Sequence, residues 1–136
     1  MTMLENSNTE EDGGYIPTIS FSNVNPPSLR TILVWPHPDL AKPADPITSI
    51  GKEHFGSSEL EQLLVDMLHT MRTFKGVGLA APQIGVPNKV ITLEVEPGSP
   101  CYFINPIIVY ESTDQSYEWE EGCLSVPGYF EKRERP

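Results

Sequence analysis

Cys123 lies in the string Glu120-Glu121-Gly122-Cys123-Leu124-Ser125, and Gln83 ends the segment GVGLAAPQ at residues 76–83. Each of the two has a plain reading and a chemical one. A lone cysteine is most simply a small buried hydrophobe, whereas a free thiolate can bind a metal ion. A loop glutamine is most simply an exposed polar side chain. Its carboxamide can also donate to an oxygen that becomes negative during amide hydrolysis, and it does so without adding charge. Residue type and spacing leave both pairs of readings open. The three histidines, His37, His54 and His69, do not have the His-x-x-x-His spacing that places two imidazoles on one helical face. None of them is expected to bind a catalytic metal.

The elements that must position these residues can be read around them. Apolar Leu60, Leu63, Leu64, Met67, Leu68, Met71 and Phe74 follow helical spacing, which predicts an amphipathic helix over 58–74. Ser58 and Glu61 suit a capping box at its start. Lys75-Gly76 suits a basic last turn and a glycine stop. Strands are expected at 29–35 (LRTILVW), 89–95 (KVITLEV), 102–104 and 107–110, with Pro106 interrupting the last two. A strand at 115–120 delivers the chain to Cys123, and another begins at 129–133. Prolines 36, 38, 43 and 46 keep the stretch between them irregular. The pattern is an α+β domain with antiparallel or mixed strands around one N-terminal helix. Residues 1–27 are polar and end in Asn25-Pro26-Pro27; they read as a mobile tail, with 28–136 as the domain.

Composition narrows the function classes. The chain has 136 residues, with nine Lys plus Arg against nineteen Asp plus Glu, for a formal charge of -10. No basic stripe is present, so nucleic-acid binding is not expected. No apolar run reaches the length of a membrane span, and the start has neither the basic nor the apolar region of a secretory signal. Two cysteines, Cys101 and Cys123, do not make a disulfide framework. A reducing cytoplasmic setting is expected, and it suits a free thiol.

The two strings together resemble the peptide deformylases. GVGLAAPQ is similar to the family's first signature motif, and Glu121-Gly122-Cys123-Leu124-Ser125 to its second. WPHPDL at 35–40, KPADPI at 42–47 and Ile104-Asn105-Pro106 extend the likeness over 29–136. The third motif, a helical His-Glu-x-x-His, is absent from these residues, so the metal-binding C-terminal helix of the family's fold is expected to be missing. The resemblance implies that the Cys123 thiolate is one of three protein ligands to a catalytic divalent metal. The implied ion is ferrous iron, with zinc, nickel or cobalt able to substitute, and its two histidine ligands are not in this chain. It also implies that the Gln83 side chain and the Leu124 backbone N–H receive the negative oxygen. Val77 and Gly78 would present backbone to the substrate, with Glu121 and Gly122 on the opposite side and Trp119 and Leu124 around the methionine side chain. The implied reaction removes the formyl group from N-terminal formylmethionine of chains emerging from the ribosome, with formate as product. These 136 residues alone are expected to be inactive. The competing expectation is a non-catalytic relic that binds peptide N-termini; a His-Glu-x-x-His beyond residue 136 would favour the enzyme.

Overall fold

The computed structural model describes residues 21, 24–48, 58–113 and 117–135. The expected tail at 1–27 lies mostly outside them. Within that span, the Phe21 ring stands 6.0 Å from the Tyr102 ring, and the Asn25 N–H donates to Gln62 Oε1 at 2.8 Å.

The predicted helix forms as α1, Ser58–Thr73. Its apolar stripe is its buried face: Leu64, Met67 and Met71 have no exposed surface. The stripe packs on a three-stranded antiparallel sheet of β1 (Gly78–Ala80), β2 (Val90–Leu93) and β3 (Cys101–Ile104), in the order β1-β2-β3. Side chains alternate across a strand, so Leu79, Val90, Thr92 and Tyr102 enter the core with the helix. The other face carries Ile91 and Phe103, both exposed. A hairpin of β4 (Tyr117–Cys123) and β5 (Val126–Arg135) forms a separate two-stranded antiparallel sheet.

The end of α1 differs from the expected glycine stop. The Gly76 N–H donates to Met71 O at 2.9 Å and the Lys75 N–H to Arg72 O at 3.1 Å. This is the Schellman pattern, and its left-handed position is Lys75, with φ of 57°. Gly76 serves a different purpose. A Cβ built there would lie 2.7 Å from Leu124 Cδ1, so glycine lets the second motif lie against the first.

Two expected strands do not form. Residues 107–110 pair with no strand among the described residues and are 82–91% exposed. Their β-branched composition favours a strand only where a neighbour exists to pair with. Residues 29–34 join no sheet, and Trp35 already lies in a turn closed by the His37 N–H on Val34 O at 3.0 Å. They act instead as a splint, as the site geometry makes plain.

Candidate functional site

Gln83 lies in a short 3-10 turn, Ala81–Ile84, directly after β1. Its side chain reaches back to the start of that turn, where Oε1 accepts the Ala80 N–H at 2.9 Å. A backbone N–H can be accepted only by the carboxamide oxygen, so this bond fixes which end of the amide is nitrogen. Nε2 then points at the second motif. It lies 3.1 Å from Ser125 Oγ and 3.8 Å from Cys123 Sγ.

Cys123 closes β4, and its thiol is free and exposed. Cys123 pairs with Val126, which leaves Leu124 and Ser125 as a two-residue hairpin turn. The register slips between Gly122 and Cys123: Gly122 pairs with Phe130, so Pro127, Gly128 and Tyr129 bulge out of the ladder. Gly128 has φ of 77° with open space where a Cβ would stand. The left-handed backbone of the bulge is therefore what selects glycine there.

The segment 29–35 ties the two motifs together. The Leu33 N–H donates to Gln83 O at 2.7 Å, and two residues on the Trp35 N–H donates to Ser125 O at 2.8 Å. Asp66 of α1 anchors the start of this splint. Its carboxylate, 1% exposed, accepts the Ser28 N–H at 2.8 Å, Gln62 Nε2 at 2.9 Å, Arg30 Nε at 2.8 Å and Arg30 NH2 at 2.7 Å. Burial pushes the Asp66 carboxyl up, but the donors from Ser28, Gln62 and Arg30 outweigh it and hold the group below its ordinary value.

Between the splint, the end of α1 and the hairpin lies an open cleft of about 1040 Å³, with Val77, Gly78, Gln83, Gly122, Cys123 and Leu124 among its lining residues. Six of the residues singled out in the sequence thus share one cleft. Trp119 and Glu121 are not in its lining. Trp119 is 61% exposed on β4. Glu121 forms a two-pronged ion pair with Arg135, at 2.8 and 2.7 Å. The hydrogen bond from Arg135 holds the Glu121 carboxyl below its ordinary value. Sequence reasoning missed Leu33, Trp35, Asp66 and Ser125. Ser125 carried a signal, its place at the end of the second motif, and so did Trp35, which opens WPHPDL; neither string encodes the hydrogen bonds that join them.

As a metal centre the site is partial. No group of three His, Cys, Asp or Glu side chains that could hold an ion exists among the described residues. Cys123 offers one ligand, which cannot define a catalytic coordination geometry.

The comparisons with known proteins agree on one family. The profile described as Polypeptide deformylase matches residues 29–136. The chain belongs to the peptide deformylase family. The peptide deformylase of Phenylobacterium zucineum is 44% identical over 113 residues, covering 80% of this chain and 63% of that protein. The crystal structure of the peptide deformylase from Thermotoga maritima superposes with a TM-score of 0.69 at 34% identity, covering 79% of this chain and 68% of that one. A Met-Ala-Ser-bound class I type b peptide deformylase from Acinetobacter baumannii gives a TM-score of 0.70 at 29% identity, covering 79% and 71%. The α+β peptide deformylase fold follows from these likenesses. The chain spans a little over three-fifths of the curated deformylase from Phenylobacterium.

Proposed function

We propose that the protein removes the N-formyl group from N-terminal formylmethionine of new polypeptides, releasing formate. The observation that carries this reading is the approach of the Gln83 carboxamide to the Cys123 thiol, 3.8 Å apart in one cleft. Family membership and the Met-Ala-Ser-bound relative support a peptide substrate. A divalent ion, ferrous iron by family likeness with zinc, nickel or cobalt as substitutes, would supply the activated water. Cys123 would be one ligand, and the described residues supply no complete set around it. The two histidines the family uses would come from outside these 136 residues.

The chain's own groups would bind and orient the substrate. Gln83 Nε2 would donate to the formyl oxygen as it gains charge. Leu124 occupies the first central position of the tight turn after Cys123, and the turn's own hydrogen bond does not use its N–H. That donor would face the same oxygen. β1 is an edge strand, and Gly78 lines the cleft, so the peptide would extend the sheet there. The Val77 carbonyl already accepts the Glu94 N–H at 2.8 Å, which leaves its N–H as the group available for the peptide. Gly122 would flank the opposite side with Glu121, and Trp119 and Leu124 would meet the methionine side chain. Nascent chains at the ribosome, in the cytoplasm, would be the source of substrate. Among the described residues no helix is long and apolar enough to cross a membrane.

The test is formate release from formyl-Met-Ala-Ser by the protein expressed from its complete reading frame and loaded with ferrous iron without oxygen. Gln83→Ala is expected to lower kcat by roughly 10²–10³-fold, the usual effect of losing one oxyanion donor. A change below about threefold would remove Gln83 from the reaction. The 136 residues alone are expected to release none.

A further inference from the structure

The carboxamide of Gln83 has two N–H groups, and the proposed reaction needs one of them. A terminal carboxamide torsion is soft and broad, so an unpinned amide would aim its donor poorly. Its oxygen is pinned by the Ala80 N–H at 2.9 Å. Its nitrogen is met by Ser125 Oγ at 3.1 Å, and Ser125 is only 4% exposed. Ser125 is itself fixed, because its carbonyl accepts the Trp35 N–H at 2.8 Å. The second N–H is left facing the Cys123 side of the cleft, where the sulfur, 3.8 Å away, is only a weak acceptor.

We propose that Ser125 is a positioning residue: its buried hydroxyl accepts one N–H of Gln83 and thereby holds the other toward the place of the substrate oxygen beside Cys123. The role of that second N–H rests on the deformylase reading, but the holding of the side chain does not. Losing one neutral hydrogen bond biases a rotamer by roughly fivefold. The cost of removing the Ser125 hydroxyl is therefore expected to be far smaller than that of removing Gln83 itself.

The test reads the Gln83 side chain directly. Its side-chain amide signals are assigned in the ¹⁵N spectrum of the protein by their loss in Gln83→Ala. In the unsubstituted protein one of the two protons is expected to be shielded from solvent exchange and the other not; equal exchange overturns the proposal. Ser125→Ala is expected to speed exchange of the shielded proton by about fivefold, and unchanged exchange overturns the proposal. Ser125→Thr and Ser125→Val nearly match in volume and differ by the hydroxyl, so a packing effect would appear in both. Only Val is expected to release the amide. In formate release, Ser125→Ala is expected to lower kcat about fivefold with KM unchanged, and to have almost no effect in a Gln83→Ala background. An equal loss in both backgrounds would make Ser125 merely structural. The spectra judge the positioning, whereas the turnover of Gln83→Ala judges the deformylase reading, so the two failures are distinguishable.

Discussion

Replacing Asp66 by alanine should weaken both the fold and the site, because its carboxylate, together with the buried Thr70 hydroxyl that accepts the Arg30 N–H at 2.9 Å, anchors the splint that spans the two motifs. The carboxylate is buried and accepts from Ser28, Gln62 and Arg30. Breaking a buried ion pair costs about 3–5 kcal/mol when the remaining charge stays buried. Here the Arg30 side chain is 41% exposed, so it rehydrates and that figure must be discounted. What remains is the loss of the hydrogen bonds from Ser28 and Gln62 to the charged carboxylate, at about 1.5–3 kcal/mol and at the low end because Ser28 is exposed and its N–H rehydrates, and a small void. The expected loss is therefore roughly 2–3 kcal/mol. With a urea slope of about 1–3 kcal/mol/M, the midpoint should fall by about 1 M with the slope unchanged. The pH dependence has a definite sign. The folded carboxyl lies below its ordinary value of 3.8, so its stabilisation is fully present above that value. It is lost as pH falls through the lower folded value. The gap between parent and Asp66→Asn should then be widest near neutrality and narrow in acid below 3.8. Amide exchange supplies the link to the site: the Leu33 and Trp35 N–H groups should exchange faster in Asp66→Ala. A gap that does not narrow in acid would refute the electrostatic reasoning. Unchanged exchange at Leu33 and Trp35 would refute the splint.

Two further substitutions probe the contacts around the site and under the sheet. Gly76→Ala puts a Cβ 2.7 Å from Leu124 Cδ1; Leu124 borders the open cleft and can yield, so stability should fall by only about 1 kcal/mol. Because only the Leu124 side chain has to move, its backbone N–H stays in place, and formate release should change by no more than a few fold with any loss in KM; a fall in kcat of about 100-fold or more would show that the turn itself had shifted. Thr92 Oγ1 is buried with no hydrogen-bond partner among the described residues, so Thr92→Val should raise stability by about 1–2 kcal/mol, read as a higher urea midpoint.

What the sequence made legible followed from how local each signal is. The helix was readable because its stripe repeats within α1, and Leu64, Met67 and Met71 are fully buried as that stripe requires. Its end was readable only to within a residue, because the left-handed position fell on Lys75 where glycine was expected. Residues 107–110 misled because strand propensity is realised only by pairing. The approach of Gln83 to Cys123 crosses 40 residues, and no periodicity encodes it; only the family likeness brought the two together. The hairpin turn at Leu124-Ser125 has neither the glycine nor the asparagine that marks such turns. Nothing local pointed from Asp66 to its partners Ser28 and Arg30, which lie in a segment with no repeating pattern.

The most direct test of the account compares two cysteines in the iron-loaded protein translated from its complete reading frame. Formate release from formyl-Met-Ala-Ser and bound iron are measured for Cys123→Ala and Cys101→Ala. The account predicts that Cys123→Ala loses both iron and turnover, while Cys101→Ala, altered on β3 outside the cleft lining, keeps them. Turnover retained in Cys123→Ala, or absent in the unsubstituted protein, would contradict it.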